Sequence, residues 1–460
     1  MSDVVNQFQL SSGDFDAEGM VVRRFRGREA VNELSTTEVE VVQDEGVEDL
    51  PRADAVLGAG VQLTVLSEEG TVARRIHGIV SWARYRGAGA DEPPALELRI
   101  VPRAWRLTLF RTQELFLDQS IPDVIRAKLE RVELGHTASW NLLREYPPRE
   151  VVMQYQESDW DFVCRLCEHY GITFFFEQRE DGEHLVFTDH NEGWSAETSP
   201  LPYQVDSHGP GVTAMSSEAQ GTPSVFIVND YNYRHPQFDL TGVASLDEGL
   251  AGGVVEYGAH HRTAEEAATM ATLRMEEAAC RRIVHRGESN VVGVAAGTVI
   301  QIEDHIEYEG RTLRVVSVVH EAAAEPGVGA EATTEGAAIR YTNRFVCCPG
   351  DVAFRPARVT PRPKITGIVS GVVQPGPEGE LGGRPRIDDD GRYLVQFHFD
   401  GTDHGPLPAS QAMRMAQPFV GEGANGMHFP LQRGTEVLIA FIDGNPDRPI
   451  IVGAVPNATN

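Results

Sequence analysis

At 460 residues the chain has room for about three domains of ordinary size, each able to bury a core without disulfide or metal staples. Hydrophobic residues at 41% and charged residues at 23% are globular values, and 45 Gly and 27 Pro without a fixed period exclude a collagen-like or wholly disordered chain. Formal net charge is −28, with Lys128 and Lys364 the only lysines, so the surface repels phosphate and argues against nucleic acid and anionic membrane as general partners.

The N-terminal stretch has no basic segment followed by an apolar one, and the longest apolar run, 291–302, falls short of the roughly 18 residues a membrane helix needs. We expect no stable membrane insertion and no classical signal peptide. The five cysteines are odd in number, and Cys164/Cys167 and Cys347/Cys348 lie too close in sequence for a disulfide framework, which fits synthesis in a reducing cytoplasm.

Most of the chain reads as short strands, because alternating or β-branched runs are bounded by Gly, Pro, Asp and Asn: 39–43, 61–66, 96–101, 225–228, 299–302 and 313–319. Three segments have helical spacing instead. The first, 120–134, opens with Ser120, Pro122 and Asp123; the second, 158–170, opens with a capping box of Ser158 and Asp161 and stops at Gly171. Between 172–177 and 183–188 an Asp-Gly pair marks a hairpin, and 263–283 opens with a second capping box, Thr263 and Glu266. Pro349, Pro356, Pro361 and Pro363 then read as a stiff linker.

Beyond the linker, five short strands at 365–373, 393–399, 413–416, 436–442 and 450–455 have the count and size of a small Greek-key barrel such as the OB-fold. Asp390 and Gly391 end a turn before the second of them, and Gly434 precedes the fourth. The segment from Asp443 to Pro449 reads as a barrel corner. Gly444 permits an unusual φ, Pro446 and Pro449 stiffen the flanks, and Arg448 is placed to pair with Asp443 or Asp447.

Candidate chemistry is sparse. Cys164-x-x-Cys167 with His169 offers two ligands on one helical turn and no second CxxC, so buried core cysteines are the better reading. His260-His261 and His320-Glu321 resemble metalloprotease fragments, but Ala324 stands where a second His would be needed. Gly421-Glu-Gly-Ala-Asn-Gly426 matches G-x-G-x-x-G by letter and is followed by Pro430 rather than a helix. No nucleophile signature or Walker loop occurs, so we expect no catalytic, cofactor-binding or metal residues.

The run Asp390-Gly-Arg-Tyr-Leu-Val-Gln-Phe-His-Phe-Asp400, then Met413-Arg-Met-Ala-Gln-Pro418, then Phe429-Pro-Leu-Gln-Arg-Gly434 onward through Asp443-Gly-Asn-Pro-Asp-Arg448 to Gly453, resembles the spike domain of VgrG proteins. Those are the tail spikes of type VI secretion and related contractile injection systems. Tyr146-Pro-Pro-Arg-Glu150, the stretch 154–172 and Thr188-Asp-His190 resemble the same family's hub region.

The resemblance implies a mainly β fold with short helical inserts: a hub β-barrel at 1–115, a helix and hairpin insert at 116–225, a second hub barrel with a helix at 226–348, a linker at 349–363 and an OB-fold spike base at 364–460. It further implies a non-enzymatic homotrimer that joins a hexameric tube protein to a puncturing tip, contacts baseplate proteins, carries effectors and leaves the cell by contraction. The sequence departs from the family in lacking a valine-glycine needle before Asn460, so we expect either a shortened spike whose tip is another polypeptide or the ordered part of a longer product. Other readings are an OB-fold module binding oligonucleotide or glycan, and the spike of a phage-tail-like particle with a separate lytic or tip protein.

Overall fold

The computed structural model describes the chain except residues 1–4, 44–49, 68–69, 90–92, 195–197, 205–208, 325–338, 376–383, 386, 401–410, 423–424 and 459–460. Strands dominate, as expected. The first six, β1 (Val5–Ser12), β2 (Met20–Ala30), β3 (Thr36–Gln43), β4 (Gly60–Leu66), β5 (Val72–Arg86) and β6 (Ala95–Val101), follow one another in the ring β2-β3-β6-β5-β4-β1, which the β1–β2 pairing closes. Alternation sets the faces: on β3, Val39 and Val41 point inward while Glu38 and Glu40 point out. Val39, Val41, Leu63, Leu96, Leu98 and Phe25 fill the interior.

The chain then runs through β7 (Arg111–Gln119), α1 (Ile121–Glu130), β8 (Ala138–Asn141), β9 (Arg149–Ser158), α2 (Asp159–Tyr170), β10 (Thr173–Arg179) and β11 (Gly182–Thr188). Ser120 caps α1, its Oγ accepting from Asp123 N at 3.3 Å, and Pro122 sits in the first turn where no N–H is needed. β7 pairs with β9, and β10 with β11 through a tight turn in which Arg179 faces Gly182.

A second set comprises β12 (Thr198–Pro202), β13 (Val212–Ala219), β14 (Val225–Asn229), β15 (Gly242–Ser245), β16 (Gly253–Tyr257), α3 (Ala264–Arg282), β17 (Ile283–Ser289), β18 (Val299–Glu303), β19 (Thr312–Ala324) and β20 (Ile339–Pro349). Six of these form another ring, β12-β18-β19-β20-β17-β13, whose ends meet at the Tyr203–Val212 bridge around Ile300, Ile302, Val315, Val318 and Phe345. β19 also pairs with β2 and β20 with β1, so the two barrels share one twelve-stranded sheet. Thr263 caps α3 by accepting from Glu266 N, while the Glu266 carboxylate accepts from Arg262 N at 2.8 Å.

The remaining strands are β21 (Val369–Val373), β22 (Tyr393–Phe397), β23 (Gln411–Met415), β24 (Phe419–Val420), β25 (Gly426–Met427), β26 (Glu436–Phe441) and β27 (Pro449–Val455). Five close a barrel, β21-β22-β23-β27-β26, as the strand count predicts, and β23 and β27 pair in parallel. Tyr393, Val395, Phe397, Met413, Val437, Ile439 and Ile451 form its core, joined by Leu115 from β7 and Met153 from β9.

The chain divides into two compact units. One comprises 1–105, 132–144 and 167–358 with both six-stranded barrels; the other comprises 106–131, 145–166 and 359–460 with the five-stranded barrel, β7, α1 and β9. No helix of the described residues is long and apolar enough to cross a membrane.

Candidate functional site

The corner between β26 and β27 is built from the residues that the sequence marks as turn formers. Asp443 and Gly444 take consecutive left-handed conformations, φ 55° and 70°. This reverses the chain and points the Gly444 carbonyl at Ile365 N, 2.9 Å away. Ile442 N donates to the Arg448 carbonyl at 3.0 Å and Arg448 N to the Asn445 carbonyl at 2.9 Å, closing the loop. Pro446 is buried beneath it, and Pro449 opens β27 opposite Phe441.

Side chains tie this corner to distant parts of its own unit. Asp447 Oδ1 accepts from Met153 N at 2.7 Å, and its Oδ2 lies 3.1 Å from Arg362 Nη2. The same guanidinium donates to the buried Asn445 Oδ1 at 2.7 Å, which also accepts from Asp447 N. Arg362 therefore staples the proline-rich segment to the corner. Sequence reading does not reveal Arg362 or Asn445, because Arg362 meets partners 83 and 85 residues later and no local pattern encodes that.

The turn before β22 is organised by Asp388. Its carboxylate accepts from Asp390 N at 3.1 Å, Arg392 N at 2.9 Å and Arg392 Nε at 2.8 Å, while Gly391 supplies φ 72°. Burial pushes the Asp388 carboxyl up, but these hydrogen bonds and the Arg392 charge outweigh it and hold it below its ordinary value. Arg392 in turn pairs with Glu150. Gly434, φ 78°, donates to the Val373 carbonyl at 2.9 Å between the β25 ribbon and β26.

At the start of α2, Ser158 Oγ accepts from Asp161 N at 3.0 Å and lies 2.7 Å from Asp161 Oδ2. Close by, Arg165 clamps Glu157 through Nε and Nη2 at 2.8–3.0 Å, and Nη2 also donates to the Met153 carbonyl. Lys128, 1% exposed, sits between Glu114 and Asp159, and Arg131 reaches the same two carboxylates. These charges are neutralised inside the unit and act as rigid struts.

Gly171, in the other unit, ends α2 at φ 63°; a Cβ there would stand 2.7 Å from Leu273 Cδ2 and 3.0 Å from Arg355 Cδ. Cys164 and Cys167 are buried on α2, and burial lifts the Cys167 thiol well above its ordinary value. His261 Nε2 hydrogen-bonds the Leu240 carbonyl at 2.6 Å, and His260 N donates to Asp230 at 2.7 Å. His320 Nδ1 lies 2.6 Å from Tyr341 Oη in a buried cluster with Glu29 and Arg74. Among the described residues no three His, Cys, Asp or Glu side chains gather as metal ligands would. Gly421 N donates to the Asn425 carbonyl at 2.7 Å and Gly426 pairs with Val420 in the short β24–β25 ribbon, while residues 423–424 of the G-x-G-x-x-G match lie outside the described residues.

What the arrangement offers is anchorage: carboxylates and guanidiniums that lock strands, turns and helix starts to one another. Comparison with known proteins agrees with that character. The family model described as phage tail baseplate hub (GPD) matches residues 28–326, and a domain of unknown function, DUF6484, matches residues 385–455. The type VI secretion system spike protein VgrG1c of Pseudomonas aeruginosa is 29% identical over 466 residues, covering 96% of this chain and 60% of that protein. VgrG1b of the same organism is 28% identical over 467 residues, covering 96% and 59%. This chain thus spans about 60% of the length of these curated relatives. Among solved structures, the E. coli c3393 protein aligns with a TM-score of 0.69 at 22% identity, covering 97% of this chain and all of that one. It is described as a type VI secretion component structurally similar to the T4 bacteriophage tail proteins gp27 and gp5.

Proposed function

The chain belongs to the phage tail baseplate hub (GPD) family, and from that premise we propose that it is the structural hub and spike base of a type VI secretion-like contractile injection machine. The observation that carries this reading is the pair of six-stranded barrels sharing one sheet in a chain that also holds a five-stranded barrel. Three such chains present six barrels around a threefold axis, the number a hexameric tube needs for equivalent contacts.

The role is mechanical rather than enzymatic. Sheath contraction supplies the energy, and this protein transmits force and docks tube, baseplate, tip and cargo. Its internal ion-pair struts suit that task, since neutralised buried pairs resist shear without consuming surface. Assembly in the bacterial cytoplasm and export by contraction follow from the same reading. Mass by light scattering of the purified chain tests it: three chains of 50.5 kDa per particle are expected, and a monomer at every concentration would overturn the hub assignment.

A further inference from the structure

We propose that successive copies of this chain dock through complementary faces of their two six-stranded barrels. The exposed Trp82 face of one copy receives the Ile306 turn of the next. The proposal rests on the trimeric reading above and names the contact that closes it.

The Trp82 face is a regularly charged sheet surface. Glu321, Arg26, Glu38, Arg99 and Trp82 lie directly opposite one another across β19, β2, β3, β6 and β5. In the next row Arg24, Glu40, Glu97 and Arg84 do the same. The two rows balance, and Arg23 and Arg86 beside them give guanidiniums the excess: Glu40 alone has Arg24 at 3.0 Å, Arg86 at 3.2 Å and Arg23 at 4.0 Å. In a chain of net charge −28 this is a locally basic surface. Trp82 remains 38% exposed, flanked by the guanidiniums of Arg84 and Arg99 at 5.6 and 5.4 Å from its ring, beside a hollow of about 380 Å³. Trp and Arg are the residue types that carry interface energy.

The counterpart lies on the other barrel. The turn between β18 and β19 holds Ile306 fully in solvent, at 102% exposure. Glu303, Asp304, Glu307 and Glu309 surround it, all exposed and none ion-paired among the described residues. The turn is rigid: Tyr308 N and Glu309 N both donate to the His305 carbonyl, at 3.1 and 2.9 Å, and Tyr308 is buried beneath against His285. A preorganised apolar tip ringed by carboxylates does nothing for its own barrel, yet it matches an indole ringed by guanidiniums. Because each copy carries one face and one turn, the contact is head-to-tail and three copies can close a ring. It also explains how chains of strong like charge associate: the basic face of one meets the acidic turn of another.

The full chain is measured by light scattering and sedimentation, at low and at physiological salt. Ile306→Asp, at a site too exposed to disturb folding, is expected to weaken association at least tenfold. Arg84→Glu with Arg99→Glu, and separately Glu307→Arg with Glu309→Arg, should each yield monomers with native circular dichroism. All four changes in one chain should restore the trimer, since the charges at 84 and 99 and those at 307 and 309 then have both signs reversed. If the arginine variant misfolds, Ile306→Asp decides alone. A wild-type trimer that survives Ile306→Asp, or single-face variants that break the trimer without rescue in the combination, overturns this contact. A monomeric wild type overturns the trimeric reading itself.

Discussion

Asp447 and Arg362 face each other across 85 residues of sequence, the carboxylate Oδ2 3.1 Å from the guanidinium Nη2. Because Asp447 also accepts from Met153 N, one nearly buried carboxylate holds the proline-rich segment, β9 and the β26–β27 corner together. Asp447→Ala strips an acceptor from a backbone N–H and a partner from a guanidinium, and should cost about 3 kcal/mol. Asp447→Asn keeps the Met153 contact and should cost about half as much. Denaturant unfolding of both variants checks the order; equal losses would show that an uncharged acceptor contributes nothing there.

Gly171 is required twice, by its left-handed φ and by the lack of room for a Cβ. Gly171→Ala should destabilise its unit by about 2 kcal/mol or more, combining strain at positive φ with displacement of Leu273 and Arg355. Thermal melting is the readout. A variant that melts with the wild type would mean that the chain relaxes there freely.

The buried Glu29–Arg74–His320 cluster should make the first unit acid-sensitive. For Glu29, burial raises the carboxyl, but the Arg74 charge and hydrogen bonds from His320 and Arg74 hold it well below its ordinary value. For His320, burial dominates and lowers its pKa, so it stays neutral in the fold. In both cases the unfolded chain binds protons more readily. Stability is therefore expected to fall as pH drops below about 6.5, where an unfolded His charges, and again below about 4.3, where an unfolded Glu protonates. A pH series of denaturant midpoints should show the first decline in wild type and a flatter curve in His320→Gln. Identical curves would remove His320 from the account.

All five cysteines are buried and reduced. Burial lifts the thiols of Cys167 and Cys347 well above the ordinary range and that of Cys348 to about 12. None of the five is expected to react with a thiol reagent in the native protein within minutes, and all five after unfolding. Fast native labelling at any of them would place that thiol at the surface.

Local features were the legible part of the fold. The alternation of Thr36–Gln43, the caps at Ser120, Ser158 and Thr263, and the turn from Arg179 to Gly182 each lie within a few residues of sequence; most of their elements stand within a residue or two of expectation, while α1 ends at Glu130, four residues short of 134, and β3 begins at Thr36, three residues before 39. At the corner, Gly444 and its prolines announced a turn. What fastens that turn was not legible, since Arg362 and Met153 come from 85 and 294 residues away. The fusion of the two barrels through β2–β19 and β1–β20 is hidden for the same reason. Loop closure over such spans leaves no periodic trace. The β24–β25 ribbon escapes by its size, two residues per strand being too few for any alternation to register.

The burial of Lys128 has a practical corollary. The sequence holds only two lysines, and the ammonium of this one is sealed between Glu114 and Asp159. Side-chain amine chemistry therefore falls on the exposed Lys364 alone. A succinimidyl dye or cross-linker will address one defined lysine per chain, beside Ile365 at the foot of the five-stranded barrel. Without introducing any new residue, the native sequence thus comes with its own attachment point for fluorescence distance measurements between copies.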